Sequence, residues 1–164
     1  MPVMRPAREY DAGFIASVYN EAIAAGDCTC DTVPVTVQNR LDWIASHPPG
    51  EYPIFICEDD GRPVGYSYIT PYRPGRLAVR HVAEVSYYLS FSAHGRHIGS
   101  FMLEHTEKEA AARGIEVLVA ILLASNAPSV GLLKKFGYRE WGRLPGIVDF
   151  GGRRVDHLIY GKYL

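Results

Sequence analysis

Arg80-His81-Val82-Ala83-Glu84-Val85-Ser86-Tyr87-Tyr88-Leu89-Ser90, running on through a short gap to His94-Gly95-Arg96-His97-Ile98-Gly99-Ser100, is the stretch that decides the fold. From about Val79 to Ser90 the residues are apolar and aromatic almost throughout, the pattern of a strand lying centrally in a sheet. The second run leads straight into a helix, Ile98 to Arg113, with Ile98, Phe101, Met102, His105, Thr106 and Glu109 at helical spacing and Gly114 at its end. Glycines at 95 and 99 let the backbone approach a ligand closely. The first N–H groups of the helix point outward without partners, the helix start is its positive end, and Arg96 adds a basic side chain. Those are the components of a phosphate or pyrophosphate site. The same spacing also suits a helix start that is rich in glycine for structural reasons alone.

Outward from this junction the elements alternate. A short strand at 2–5 precedes a helix from Tyr10 to Ala25, where Phe14, Ile15, Val18, Tyr19, Ala22 and Ile23 recur at three- and four-residue steps and Gly26 closes it. Thr36 can cap a second helix carrying Val37, Leu41 and Ile44, stopped by Pro48, Pro49 and Gly50. Pro53 to Cys57 and Val64 to Thr70 read as two strands about the polar turn Asp59-Asp60-Gly61-Arg62. Beyond Gly114 come a buried strand, Val117 to Leu122, and a helix opened by Asn126-Ala127-Pro128-Ser129. The tail, Tyr138 to Leu164, reads as two strands around Gly151-Gly152. The order predicts a mixed α/β (α+β) fold, with antiparallel strands first and a parallel crossover second.

The chain has 164 residues, 48% hydrophobic and 21% charged, enough to bury one core without long disordered tracts. A formal net charge of −1 gives no global attraction for nucleic acid or an anionic membrane. Cys28, Cys30 and Cys57 cannot all pair, and no Cys/His spacing suits zinc, so reduced thiols and no metal are expected. The first residues do not form a secretory signal, and no apolar run spans a bilayer. A cytoplasmic protein is the expectation.

Several runs together resemble one family. Cys30-Asp31-Thr32-Val33-Pro34-Val35-Thr36, the strand Arg80 to Ser90, His94 to Ser100, Asn126-Ala127-Pro128-Ser129-Val130 and Phe136-Gly137-Tyr138 resemble, in order and spacing, the GCN5-related N-acetyltransferase (GNAT) superfamily and its phosphinothricin and amino-acid N-acetyltransferase branch. The similarity covers nearly the whole chain. It implies one N-acetyltransferase domain over 1–164, with a mixed, mostly antiparallel sheet flanked by helices and a splayed strand pair holding acetyl-CoA. It also implies direct acetyl transfer to the primary amine of a small amino-acid-like molecule of the phosphinothricin or methionine-sulfoximine type. Laid on the family's acyl-CoA motif, His94 stands at the Arg/Gln position and His97 replaces the first glycine.

The resemblance assigns roles. Glu84 is the general base; a carboxylate inside an apolar strand is costly unless it serves something, and burial raises its pKa towards a useful range. Pairing with Arg80 or His81 is the structural alternative. Tyr87, Tyr88 and Leu89 offer backbone groups to the pantetheine arm, with an N–H near Leu89 as oxyanion donor. His94, Gly95, Arg96, His97, Ile98, Gly99 and Ser100 hold the pyrophosphate, and Asn126 and Ser129 complete the CoA site; Asn126 suits a helix N-cap equally well. Many superfamily members carry a tyrosine at position 133 to protonate the thiolate, where this chain has Leu133, so either another group such as Tyr138 or a water supplies the proton, or the thiolate leaves unassisted. Cys30, Thr32, Tyr72, Arg73, Arg80 and His81 are the acceptor-pocket candidates, arginine being the natural partner of a carboxylate. With no histidine nearby in sequence, Cys30 is not expected to act as a nucleophile. Tyr160 and Tyr163 suit a homodimer interface, as in relatives, or core packing.

Two other functions fit parts of the pattern. Acetylation of a protein N-terminus or lysine uses the same fold, with an open groove in place of a closed pocket. A CoA-binding sensor without catalysis would account for His97 and Leu133 but not for Glu84. A nucleotide-binding protein would need a GxxxxGK[ST] loop, which is absent.

Overall fold

The computed structural model describes all residues, 1–164. In chain order the elements are β1 (Val3–Pro6), α1 (Ala12–Ala25), α2 (Val37–Ser46), β2 (Ile54–Asp59), β3 (Arg62–Pro71), β4 (Val82–Leu89), α3 (Ile98–Ala112), β5 (Val117–Leu123), α4 (Ala127–Lys135), β6 (Arg139–Phe150) and β7 (Arg153–Tyr163). All seven strands join one sheet in the order β1-β2-β3-β4-β5-β7-β6. Every neighbouring pair is antiparallel except β4 and β5, which run parallel. A parallel pair needs a long crossover, and α3 supplies it.

The expected strand from Val79 to Ser90 is shorter at its start. Leu77–Val79 form a 3-10 turn, and β4 begins at Val82. The other elements fall within a few residues of their expected positions, and their caps explain where they begin and end. Gly26 closes α1 in the left-handed conformation (φ 76°), and the Thr36 hydroxyl accepts from the Asn39 N–H at 3.1 Å.

Strand alternation divides the sheet into two covered faces. Ala83 and Val85 of β4 pack with Leu103, Leu118, Leu133 and Leu158 on the α3/α4 side. On the other face Ile15 and Val18 of α1 pack against Ile54, Ile56 and Tyr66. Glu84, Ser86 and Tyr88 therefore face α1 and α2. Tyr160 belongs to the core at 2% exposed, whereas Tyr163 is 76% exposed beside Trp141; only the latter is available to a partner. All three cysteines are free thiols. No helix is long and apolar enough to cross a membrane.

Candidate active site

The site starts from a break in the sheet. β4 and β5 pair only at Val82↔Val117, Ala83↔Leu118 and Glu84↔Val119. Beyond Glu84 the strands part, although β4 continues to Leu89 and β5 to Leu123. β5 keeps its course because it stays paired with β7 along its whole length. The His81 carbonyl accepts from β5's side, from the Glu116 and Val117 N–H groups, while the Val82 carbonyl accepts from Tyr72 on β3's side. This alternation turns the backbone N–H and C=O groups of Val85, Tyr87 and Leu89 into the gap, with no strand opposite them. The Leu89 carbonyl receives one bond, donated by His94 Nε2 at 3.1 Å.

A cleft of about 490 Å³ follows the gap. Tyr88 and Cys28 line it on the α1 side, Tyr87, Ser129 and Leu132 on the α3/α4 side. Residues from both faces of a sheet can share one cleft only where the sheet is open. Its upper end is formed by His94, Gly95, His97, Ile98, Gly99 and Ser100 at the start of α3. His97 is the N-cap of α3, and no side chain caps that end, so its positive pole faces the cleft. Asn126 also lines the cleft, and its Oδ1 accepts from the Ser129 N–H at 3.2 Å as a helix cap.

Arg96 is the exception in this run. Its guanidinium pairs with the buried carboxylate of Asp59 and does not line the cleft, whereas Lys135 Nζ reaches Ser100 Oγ, at the cleft's upper end, at 3.4 Å. His97 holds φ 61°, a left-handed backbone uncommon for a side chain larger than glycine's. Replacing His97 with Gly is expected to stabilise the fold by about 1 kcal/mol and to weaken CoA binding if the imidazole contacts phosphate; thermal unfolding and calorimetric titration of the variant check both.

Glu84 stands at the last paired position before the strands part, on the α1/α2 face, and has no salt-bridge partner; pairing with Arg80 or His81 does not occur. Burial alone raises its pKa above the ordinary 4.5. Its charge is felt by the hydroxyl of Tyr68, whose pKa burial pushes up first and Glu84 further.

The acceptor candidates do not converge within one chain. Arg80 and His81 line a different cavity, of about 850 Å³, with Glu51, Tyr52, Arg113 and Glu116 at the opposite end of β4. That cavity is the larger, but it abuts the C-terminal end of α3 and has no α-helix start among its lining residues. Tyr72 follows the end of β3, half-buried, with Arg73 exposed beside it; Thr32 is exposed in the α1–α2 connection. This connection crosses the gap. Cys30 Sγ lies 3.8 Å from His157 Nε2 on β7, and the Arg153 guanidinium donates to the Gly26 carbonyl. His157 thus stands beside Cys30 although 127 residues separate them in the chain, a proximity with no local sequence signal. Burial raises the Cys30 pKa, with the Asp31 charge adding to it, which is the wrong direction for a nucleophile.

Tyr138 is not available to the thiolate. Its hydroxyl is enclosed in the core beside Glu107, and its ring lies under Lys162.

Comparison with known proteins agrees with this geometry. Residues 15–138 match the Acetyltransferase (GNAT) family. The chain is 36% identical over 163 residues, 98% of each protein, to YwnH of Bacillus subtilis (strain 168), whose name assigns it provisionally to phosphinothricin acetyl transfer. It is 29% identical to the L-methionine sulfoximine/L-methionine sulfone acetyltransferase of Pseudomonas aeruginosa, covering 93% of this chain and 89% of that one. The crystal structure of a phosphinothricin acetyltransferase from Sinorhizobium meliloti in complex with AcCoA superimposes with a TM-score of 0.92 at 25% identity, covering 99% of this chain and 88% of that one. With the family matched across most of the chain and the fold shared throughout, this protein belongs to the GNAT acetyltransferase family, in its phosphinothricin and amino-acid N-acetyltransferase branch.

Proposed function

We propose that the chain transfers an acetyl group from acetyl-CoA to the primary amine of a small amino-acid-like acceptor, by direct attack in a ternary complex. The observation that carries this reading is the unpaired edge of β4 leading up to an uncapped helix start. A pantetheine arm, with its two amides, can add to Val85, Tyr87 and Leu89 as a strand would. Its pyrophosphate then falls at the positive end of α3. Acetyl-CoA supplies an activated acyl group. The chain's part is to orient it, to polarise its carbonyl with a β4 N–H, and to accept the amine proton at Glu84.

The relatives' names supply the acceptor class: phosphinothricin, methionine sulfoximine and methionine sulfone all carry an α-amine and a carboxylate. The α1–α2 connection crossing the gap narrows the acceptor side, which favours a small molecule over a protein tail. Cys30 and Thr32 from that connection, with Tyr72 and Arg73, form the acceptor side in this reading. Arg80 and His81, in the cavity at the opposite end of β4, stand apart from them. A homodimer is part of the reading, supported by the exposed Trp141 (46%), Ile147 (53%) and Tyr163 (76%) along β6 and β7.

The test is a coupled thiol-release assay with acetyl-CoA against phosphinothricin, methionine sulfoximine, methionine sulfone, ordinary amino acids, polyamines and a peptide. Turnover on an amino acid or its analogue, with the peptide inert, is the expected result. Turnover on the peptide alone would replace this reading by protein acetylation, and no turnover at all by a sensor.

A further inference from the structure

Negative charge develops on sulfur as a thioester is cleaved, and neither the position where relatives carry a tyrosine nor Tyr138 offers a hydroxyl at the cleft: Leu133 is apolar and fully buried, and Tyr138 is enclosed in the core. A hydroxyl pair does join two elements that border the cleft. Tyr87 Oη on β4 and Ser129 Oγ on α4 lie 2.6 Å apart, and both residues line the cleft.

Their position is the telling part. Ser129 and Leu133 are four residues apart on one helix and share a face. Helical side chains lean towards the N-terminus, so a long side chain at 133 would carry its tip to the neighbourhood of 129. Tyr87, which packs against the same core cluster as Leu133, brings its hydroxyl to that spot from the strand instead. The Ser129 backbone is itself fixed by the Asn126 cap, so the pair is held from both sides.

We propose that Tyr87 is a catalytic residue: its hydroxyl, held by Ser129, donates a hydrogen bond to the departing CoA sulfur. The assignment rests on the acetyl-transfer reading above and deepens it. In the step, the acceptor nitrogen bonds to the acetyl carbon, and the carbon–sulfur bond breaks with its electron pair going to sulfur. The surplus amine proton goes to Glu84 and from there to solvent. Tyr87 keeps its proton and shares it with the thiolate, which solvent protonates after release. Burial pushes the Tyr87 pKa up to about 12, against a lowering by the Ser129 hydrogen bond. An ordinary thiol ionises near ~8.5, so the phenol acts by hydrogen bonding and not by losing its proton.

The experiment uses CoA itself as probe. The thiol of CoA bound to wild-type protein, Tyr87→Phe and Ser129→Ala is titrated by the ultraviolet absorbance of its thiolate, and kcat is measured with the best acceptor from the assay above. A hydrogen bond to the thiolate favours the charged form, so the bound thiol is expected to ionise about one pH unit lower in wild type than in Tyr87→Phe. kcat of Tyr87→Phe is expected to fall by about 10- to 100-fold, with Ser129→Ala between the two. Equal thiol titrations in wild type and Tyr87→Phe, or unchanged kcat, overturn the assignment while leaving acetyl transfer intact. Should Tyr87→Phe fail to fold, the Ser129→Ala titration decides, and an unshifted thiol overturns it. Wild-type protein that neither binds CoA nor turns over overturns the acetyl-transfer reading itself, and this assignment with it.

Discussion

Glu84→Gln is expected to lower kcat/KM by about 10²- to 10⁴-fold, the usual worth of a positioned general base, and to leave acetyl-CoA affinity unchanged. The side chain faces α1 and α2, away from the Tyr87–Ser129 pair, so its loss removes proton acceptance without disturbing the cleft floor. The pH dependence follows from the direction of its shift. Burial holds the Glu84 pKa above the ordinary 4.5, so the active carboxylate accumulates only as pH rises through that elevated value. The acidic limb of the rate profile should therefore lie above the usual glutamate range in wild type and vanish in the variant.

Stability moves the other way. A carboxyl whose pKa is raised by folding contributes stability below its unfolded pKa, and this is lost as pH rises through the folded value. At neutral pH the buried charge is a cost, and the Gln variant should melt higher than wild type. The advantage should shrink on acidification. A variant that is both less stable and less active at neutral pH would mark Glu84 as a structural residue.

Gly161→Ala is expected to cost about 2–3 kcal/mol of stability and to lower the melting temperature by about 4–12 °C. A Cβ at Gly161 would lie 1.9 Å from Cε3 of Trp141, which covers this position from β6. Two further ring atoms lie within 2.3 Å, so the indole as a whole must leave. The consequence reaches the active site through the sheet. Gly161 pairs with Val119, and Val119 pairs with Glu84, so all three stand in one row at the point where β4 and β5 part. Shifting β7 shifts the wall of the gap. Trp141→Ala in the same chain removes the collision, so the double variant should recover most of the loss. A double variant as unstable as Gly161→Ala alone would show that Gly161 is needed for its backbone and not for the space above it.

What the sequence made legible is what local chemistry determines. The apolar run through β4, the glycines at 95 and 99 and the caps at Thr36 and Asn126 are local signals, and each element they predict is present. The parallel crossover was legible too, because a strand, a long helix and a buried strand in succession leave few other topologies. The direction of individual side chains was not. Arg96 has the charge for a phosphate, but Asp59 on β2 claims it, and only strand pairing brings Asp59 there. His157 meets Cys30 because β7 returns to the gap's far wall, and Tyr87 meets Ser129 because β4 and α4 border one cleft. Arg80 and His81 are close to Glu84 in sequence yet open to the opposite end of the strand.

In the proposed complex, acetyl-CoA lies along the parted edge of β4 with its phosphates at the start of α3. Hydrogen–deuterium exchange, with and without acetyl-CoA, tests it most directly. Slowed exchange is expected at the Val85, Tyr87 and Leu89 amides and across Gly95–Ser100, with the Arg80–Arg113 cavity unchanged. Protection confined to that second cavity, or absent from β4, would contradict it.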